Sequence, residues 1–146
     1  MTYININLYL CSMKKSILLL PVIALACTAC HKQTFDERVL AEVEQFNQKE
    51  APKRLDMYTT FDSMNYDTKS LMISYFYTIE GNMDASVFPV DAMREELLGN
   101  LRNSIQLKAH KEHGISFHYI YFLQKTGKPL LDCTFTPEDY NSRVRH

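Results

Sequence analysis

From position 34 onward the apolar positions recur first at helical spacing and then by alternation. Phe35, Val39, Val43 and Phe46 share one helical face, with Leu40 widening it, so a helix is expected over about 35–49. Thr34 and Glu37 stand at capping-box spacing, and Ala51-Pro52 ends the run. "LDMYTTFDSM" and "SLMISYFYTI" are rich in β-branched, aromatic and Met residues, and "NYDTK" between them has turn chemistry; together they predict a β-hairpin. In its second strand Leu71, Ile73, Tyr75, Tyr77 and Ile79 lie on one face, and Met72, Ser74, Phe76 and Thr78 on the other. After the loop "EGNMDAS", a helix starting near Pro89 or Asp91 carries Val90, Met93, Leu97, Leu101 and Ile105 as its stripe, with Leu98 beside it. A second helical piece over about 104–113 stops at Gly114. "ISFHYIYFL", the turn "QKTGKP" and "LLDCTFT" make a second hairpin, and Thr136-Pro137-Glu138-Asp139 caps a short final turn. The order is α-β-β-α(α)-β-β. It predicts an α+β fold in which two hairpins form an antiparallel sheet of about four strands, with helices packed on one face.

The residues before position 34 follow a different pattern. Met13 is followed by Lys14-Lys15 and by an 11-residue apolar run from Ser16 to Ala26. A membrane-spanning helix needs roughly 20 apolar residues, so this run has the length of a signal-peptide core instead. The lysine pair, apolar run, small residue and cysteine, in the order Lys14-Lys15 to Ala26-Cys27, resemble the lipobox signal of bacterial lipoproteins. Ala24 stands where that class prefers Leu, and Leu25 where it prefers a smaller residue. The resemblance implies cleavage before Cys27 and a lipid anchor on its sulfur, with Cys30 as a second choice. It divides the chain into an N-terminal extension and signal peptide (1–26), a lipidated Cys and tether (27–33), one α+β domain (34–140) and a frayed tail (141–146). The expected location is the bacterial cell envelope, anchored to a membrane and facing the periplasm or the cell surface. The mature part looks like small bacterial lipoproteins ending in a strand plus "TPEDY", and its layout is loosely similar to cystatin-like domains. Neither likeness brings an activity with it.

Cys27 to His31 also reads Cys-x-x-Cys-His, the spacing of c-type haem attachment. An acylated Cys27 cannot form a thioether, and the polar "KQT" after His31 offers no apolar pocket, so no cofactor is expected. Composition narrows the function classes. The formal net charge is −1, and without Lys14 and Lys15 there remain 14 cationic against 17 acidic side chains, which argues against nucleic acid as a partner.

Little in the remaining sequence names a reaction. His110 and His113 are three apart, but "HKEH" lacks the spacing and the inserted Glu of a zinc helix, so they read as groups complementing a helix C-terminus and no metal is expected. His118 and Asp132 fall on one face of neighbouring strands and could serve as a general base pair in a hydrolase. No Ser or Cys stands in a nucleophile motif, and Cys133 points inward with Leu131 and Phe135. The sheet face away from the helices carries Met72, Phe76, His118, Ile120 and Phe122, the predicted binding set for an envelope protein or small ligand. The leading expectation is a non-enzymatic binding or assembly module on a lipid anchor; the alternative is a periplasmic hydrolase using His118 and Asp132.

Overall fold

The computed structural model describes residues 32–81 and 88–142. Helix α1 (Phe35–Lys49) has Asp36 and Glu37 in its first turn and Lys49 in its last, the charge order that complements a helix dipole, and it buries Val39 and Val43. Strand β1 (Lys53–Arg54) is brief and fully exposed. Strands β2 (Thr59–Asp67) and β3 (Met72–Ile79) form an antiparallel hairpin. Its turn is closed by Asp67, whose carboxylate accepts from the Lys69 N–H at 2.9 Å and the Ser70 hydroxyl at 2.7 Å.

Helices α2 (Val90–Asn103) and α3 (Lys108–Glu112) follow. Their junction is tied by Lys111 Nζ, which donates to the carbonyls of Leu101, Arg102 and Ser104 at 2.8, 2.9 and 3.0 Å and so satisfies the open end of α2. Gly114 leaves α3 with φ +81°, a conformation glycine adopts without strain. Strands β4 (Ser116–Leu123) and β5 (Pro129–Phe135) form the second hairpin. The short α4 (Pro137–Asn141) begins at Thr136, whose N–H donates to Asp139 at 2.8 Å.

The α+β class, the element order and the helices on one face all stand as read from the sequence. The sheet itself has five strands in the order β1-β2-β3-β4-β5 and is mixed rather than wholly antiparallel, because β3 and β4 run parallel from Met72↔Ser116 to Ile79↔Leu123. The chain between them is a crossover through α2 and α3 that returns to the end where β3 began, and such a return fixes parallel pairing. Two local readings change as well. The predicted turn at "NYDTK" is partly strand, since β2 runs through Asp67. Ile105 is 86% exposed, because α2 stops at Asn103 before the stripe reaches it.

The core lies between the helices and one sheet face. Phe117, Phe135, Leu101 and Ile115 are essentially sealed, and Val39, Val43, Ile73, Leu131 and Tyr140 join them. Each such side chain contributes about 1.5–3 kcal/mol of burial free energy. Among the described residues no helix is long and apolar enough to cross a membrane. The signal peptide, Cys27, Cys30, His31 and the last residues of the tail lie outside the described residues.

Candidate functional site: a tyrosine-floored cleft beside helix α1

The two long helices rest on different strands. Helix α1 packs on β2, and α2 packs on β5 and α4. The position of α1 is set by Asn47, whose amide donates to the Met64 carbonyl at 2.7 Å while its oxygen accepts from the Met64 N–H at 2.9 Å. Beyond its pairing with β1 at Thr60 and Phe61, β2 is an edge, and Asn47 completes that edge as a short strand would. Asp36 adds a second tie, accepting from Tyr66 Oη at 2.6 Å.

The central strands carry four tyrosines on the helical face. Parallel register sets Tyr75 beside Tyr119 and Tyr77 beside Tyr121, and both pairs stack, with ring centroids 5.1 and 4.4 Å apart. Phe61 meets Tyr77 edge-on at 5.2 Å and Phe46 of α1 meets Phe61 at 5.4 Å, so an aromatic chain runs from helix to sheet centre. A cleft of about 320 Å³ opens here, lined by Glu42, Phe46, Leu55, Phe61, Tyr75 and Tyr77 among others. Burial pushes the phenols of Tyr75, Tyr119 and Tyr121 well above the usual range and that of Tyr77 to about 12. All four hydroxyls therefore stay protonated donors at neutral pH. Among the described residues none of them forms a hydrogen bond, whereas the buried Tyr66 and Tyr140 hydroxyls both do. Glu42 lies close enough to Tyr75, and Glu96 of α2 to Tyr121, to raise those phenols further.

The opposite sheet face holds the set expected from the sequence. Phe76 and Ile120 are direct neighbours in the parallel register, with Met72 and Phe122 at either end of the same face. Ile120 is buried and the others are half-buried. His118 and Asp132 meet as anticipated, Nε2 to Oδ1 at 2.8 Å, and Ser74 Oγ lies 3.3 Å from the other ring nitrogen. Ser, His and Asp in a chain resemble a nucleophile relay, but acyl chemistry also needs donors aimed at a developing oxyanion. Here Ser74 is 8% exposed and sits mid-strand between β2 and β4, where main-chain donors serve the ladders. The three side chains satisfy one another and offer no such hole.

His110 and His113 do more than complement the end of α3. His110 Nε2 lies 3.5 Å from Glu42, His113 Nε2 lies 3.4 Å from Asp36, and Phe35 stacks on His113 at 4.1 Å, so α3 grips the first half of α1. Among the described residues no group of three or more His, Cys, Asp or Glu could hold a metal ion. Cys133 is a free, buried thiol whose pKa is raised by burial.

Sequence reasoning placed the four tyrosines inside, beneath the helices, and missed that Tyr75 and Tyr77 line a cleft beside α1. The available signal was chemical: a core built from apolar side chains alone has no use for four phenol hydroxyls.

The architecture is that of a small α+β domain with a five-stranded mixed sheet. The chain belongs to the domain-of-unknown-function family DUF8479, which it matches over residues 34–131. No functionally curated protein matches its sequence. Three solved structures share the fold. One is a protein of Pseudomonas aeruginosa described as secreted, at 12% identity and a TM-score of 0.58, covering 75% of this chain and 99% of that one. The second is a pilotin of the Vibrio vulnificus type II secretion system, at 7% identity and 0.58, covering 73% and 91%. The third is a Vibrio cholerae type II secretion pilotin, at 9% identity and 0.53, covering 70% and 88%.

Proposed function

We propose that this protein is a lipid-anchored cell-envelope module that binds a segment of another envelope protein, an assembly role rather than catalysis. The observation that carries the reading is the cleft: Tyr75 and Tyr77, each stacked on a tyrosine of β4, line it together with apolar side chains of α1 and β2. Such a floor presents apolar ring area and a row of hydrogen-bond donors, which suits a peptide with an apolar side and free carbonyls. The fold it shares with two pilotins supports an assembly role, and the lipobox-like order ending at Cys27 supports an anchor that holds the 34–140 domain at a membrane. A second reading, favoured by Phe76 and Ile120 side by side on the outer face with His118 beside them and Met72 and Phe122 at its ends, puts a partner or small ligand there instead.

One experiment separates the two surfaces. Tyr77 and Phe76 are adjacent in sequence and face opposite ways. A photoreactive phenylalanine at 77 should give a discrete cross-linked envelope-protein adduct in living cells, and the same group at 76 should not. The reverse pattern would move the site to the outer face. Fractionation of Cys27→Ser and Cys30→Ser tests the anchor: only the first should leave unprocessed, unlipidated chain.

A further inference from the structure

We propose that the turn between β1 and β2 is a membrane-contacting tip, whose Leu55, Met57 and Tyr58 enter the interfacial layer of the bilayer that holds the anchor. These three large side chains are 53%, 71% and 56% exposed within one short turn. The backbone presenting them is fixed. Asp56 Oδ1 accepts from the N–H groups of Tyr58 and Thr59 at 2.7 and 2.8 Å, and the Leu55 N–H donates to the Thr59 carbonyl at 2.9 Å. Arg54 donates to the Met57 carbonyl and grips Glu80 at 3.0 and 3.1 Å, while the Glu80 N–H donates to the Tyr58 carbonyl at 2.7 Å. Met57 and Tyr58, held out by a braced turn rather than folded back onto the core, mark a contact surface, and Leu55 stands between it and the rim of the cleft.

The chemistry favours lipid over a protein pocket. The tip combines two aliphatic side chains with a tyrosine, the type that settles where acyl chains meet headgroups. Two of the charges beside it are paired, Lys53 with Glu50 at 2.8 Å and Arg54 with Glu80 at 3.0 Å, while the Asp56 carboxylate keeps its charge, hydrogen-bonded to two main-chain N–H groups. Approach to a bilayer therefore leaves one unpaired carboxylate, Asp56, which stays at the headgroup level while the three larger side chains enter, and needs no anionic lipid. The reach also fits, and here the inference rests on the anchor at Cys27. Cys27 to Thr34 is eight residues, about 27 Å when extended. Helix α1, at 15 residues, is about 22 Å long and leads straight into β1. A tether of that length lets anchor and tip reach one membrane.

The chain contains no Trp, so Met57→Trp gives a single probe at the tip, and Ile105→Trp a matching probe at the α2–α3 junction. Full-length lipidated chain would be reconstituted on phosphatidylcholine vesicles with and without brominated acyl chains. Emission from the tip probe should shift to shorter wavelength and be quenched about twofold by the brominated lipid, equally at low and high salt, while the junction probe should respond to neither. Co-flotation with an unshifted, unquenched tip probe would overturn the tip and leave the anchor standing. Failure to float would remove the anchor and the tip together. Equal quenching of the junction probe, or a shift without vesicles that grows with protein concentration, would also overturn it.

Discussion

Asn47→Ala removes the only side chain that pairs with the Met64 backbone on the open edge of β2 among the described residues. Two partly buried hydrogen bonds, at 2.7 and 2.9 Å, are lost at once, and the strand's N–H and C=O are left facing a helix. With about 0.5–1.5 kcal/mol per bond and an added penalty for groups that water reaches poorly, the loss should be about 2–3 kcal/mol. At about 4 °C per kcal/mol for a domain of this size, the melting temperature should fall by about 8–12 °C. Urea unfolding followed by circular dichroism should show a lower midpoint with an unchanged slope, since the surface exposed on unfolding is the same. Asn47→Asp keeps the acceptor for the Met64 N–H and loses the donor to its carbonyl, so it should fall between wild type and Ala. A melting temperature for the Ala variant within about 2 °C of wild type would refute the idea that this residue positions α1. A normal Asp variant would show that the donated bond carries nothing.

The tyrosine floor predicts a distinctive alkaline titration. Tyr75, Tyr77, Tyr119 and Tyr121 have folded pKa values raised by burial, so the stability they contribute is present below the unfolded phenol value of about 10 and is lost as pH rises through the folded values. Phenolate absorbance of these four should rise late, together with loss of circular dichroism; their ionisation near pH 10 with the fold intact would contradict this. Leu101→Asp places a charge at a position 1% exposed and should cost more than about 4 kcal/mol, enough to abolish cooperative unfolding.

The parts legible in the sequence were those governed by short-range pattern. Val39 and Val43 at helical spacing, and the alternation from Ile73 to Ile79 and from Phe117 to Leu123, located their elements because burial acts on every second or every third to fourth residue. The Thr136 cap was readable because its chemistry is confined to four residues. Strand order was not, since the hairpins share the same alternation whether β3 meets β4 head-on or alongside. The His118–Asp132 pair was visible as two residues on one face, but not Ser74 as its third member, because that contact exists only once β3 and β4 are parallel. Asn47 gave no signal: on a helix it reads as a solvent-facing polar residue, and only the open edge of β2 gives it a role. The cleft was hidden for a related reason. Periodicity assigns a residue to the covered side of a sheet without saying how much of that side a helix covers.

The parallel seam between β3 and β4 has a consequence for the order of events during synthesis. Its two strands are near neighbours in space but are separated in the chain by the whole α2–α3 crossover, so the segment from α1 to β3 emerges first with Tyr75 and Tyr77 along an unclosed edge. Until β4 arrives, that edge has apolar side chains and unpaired main-chain groups together, the combination most prone to wrong association. A chain cut anywhere before Ser116 would keep half of the aromatic floor and none of its stacking. The stacked tyrosine pairs therefore form only with complete synthesis, and an unfinished copy is a substrate for proteolysis.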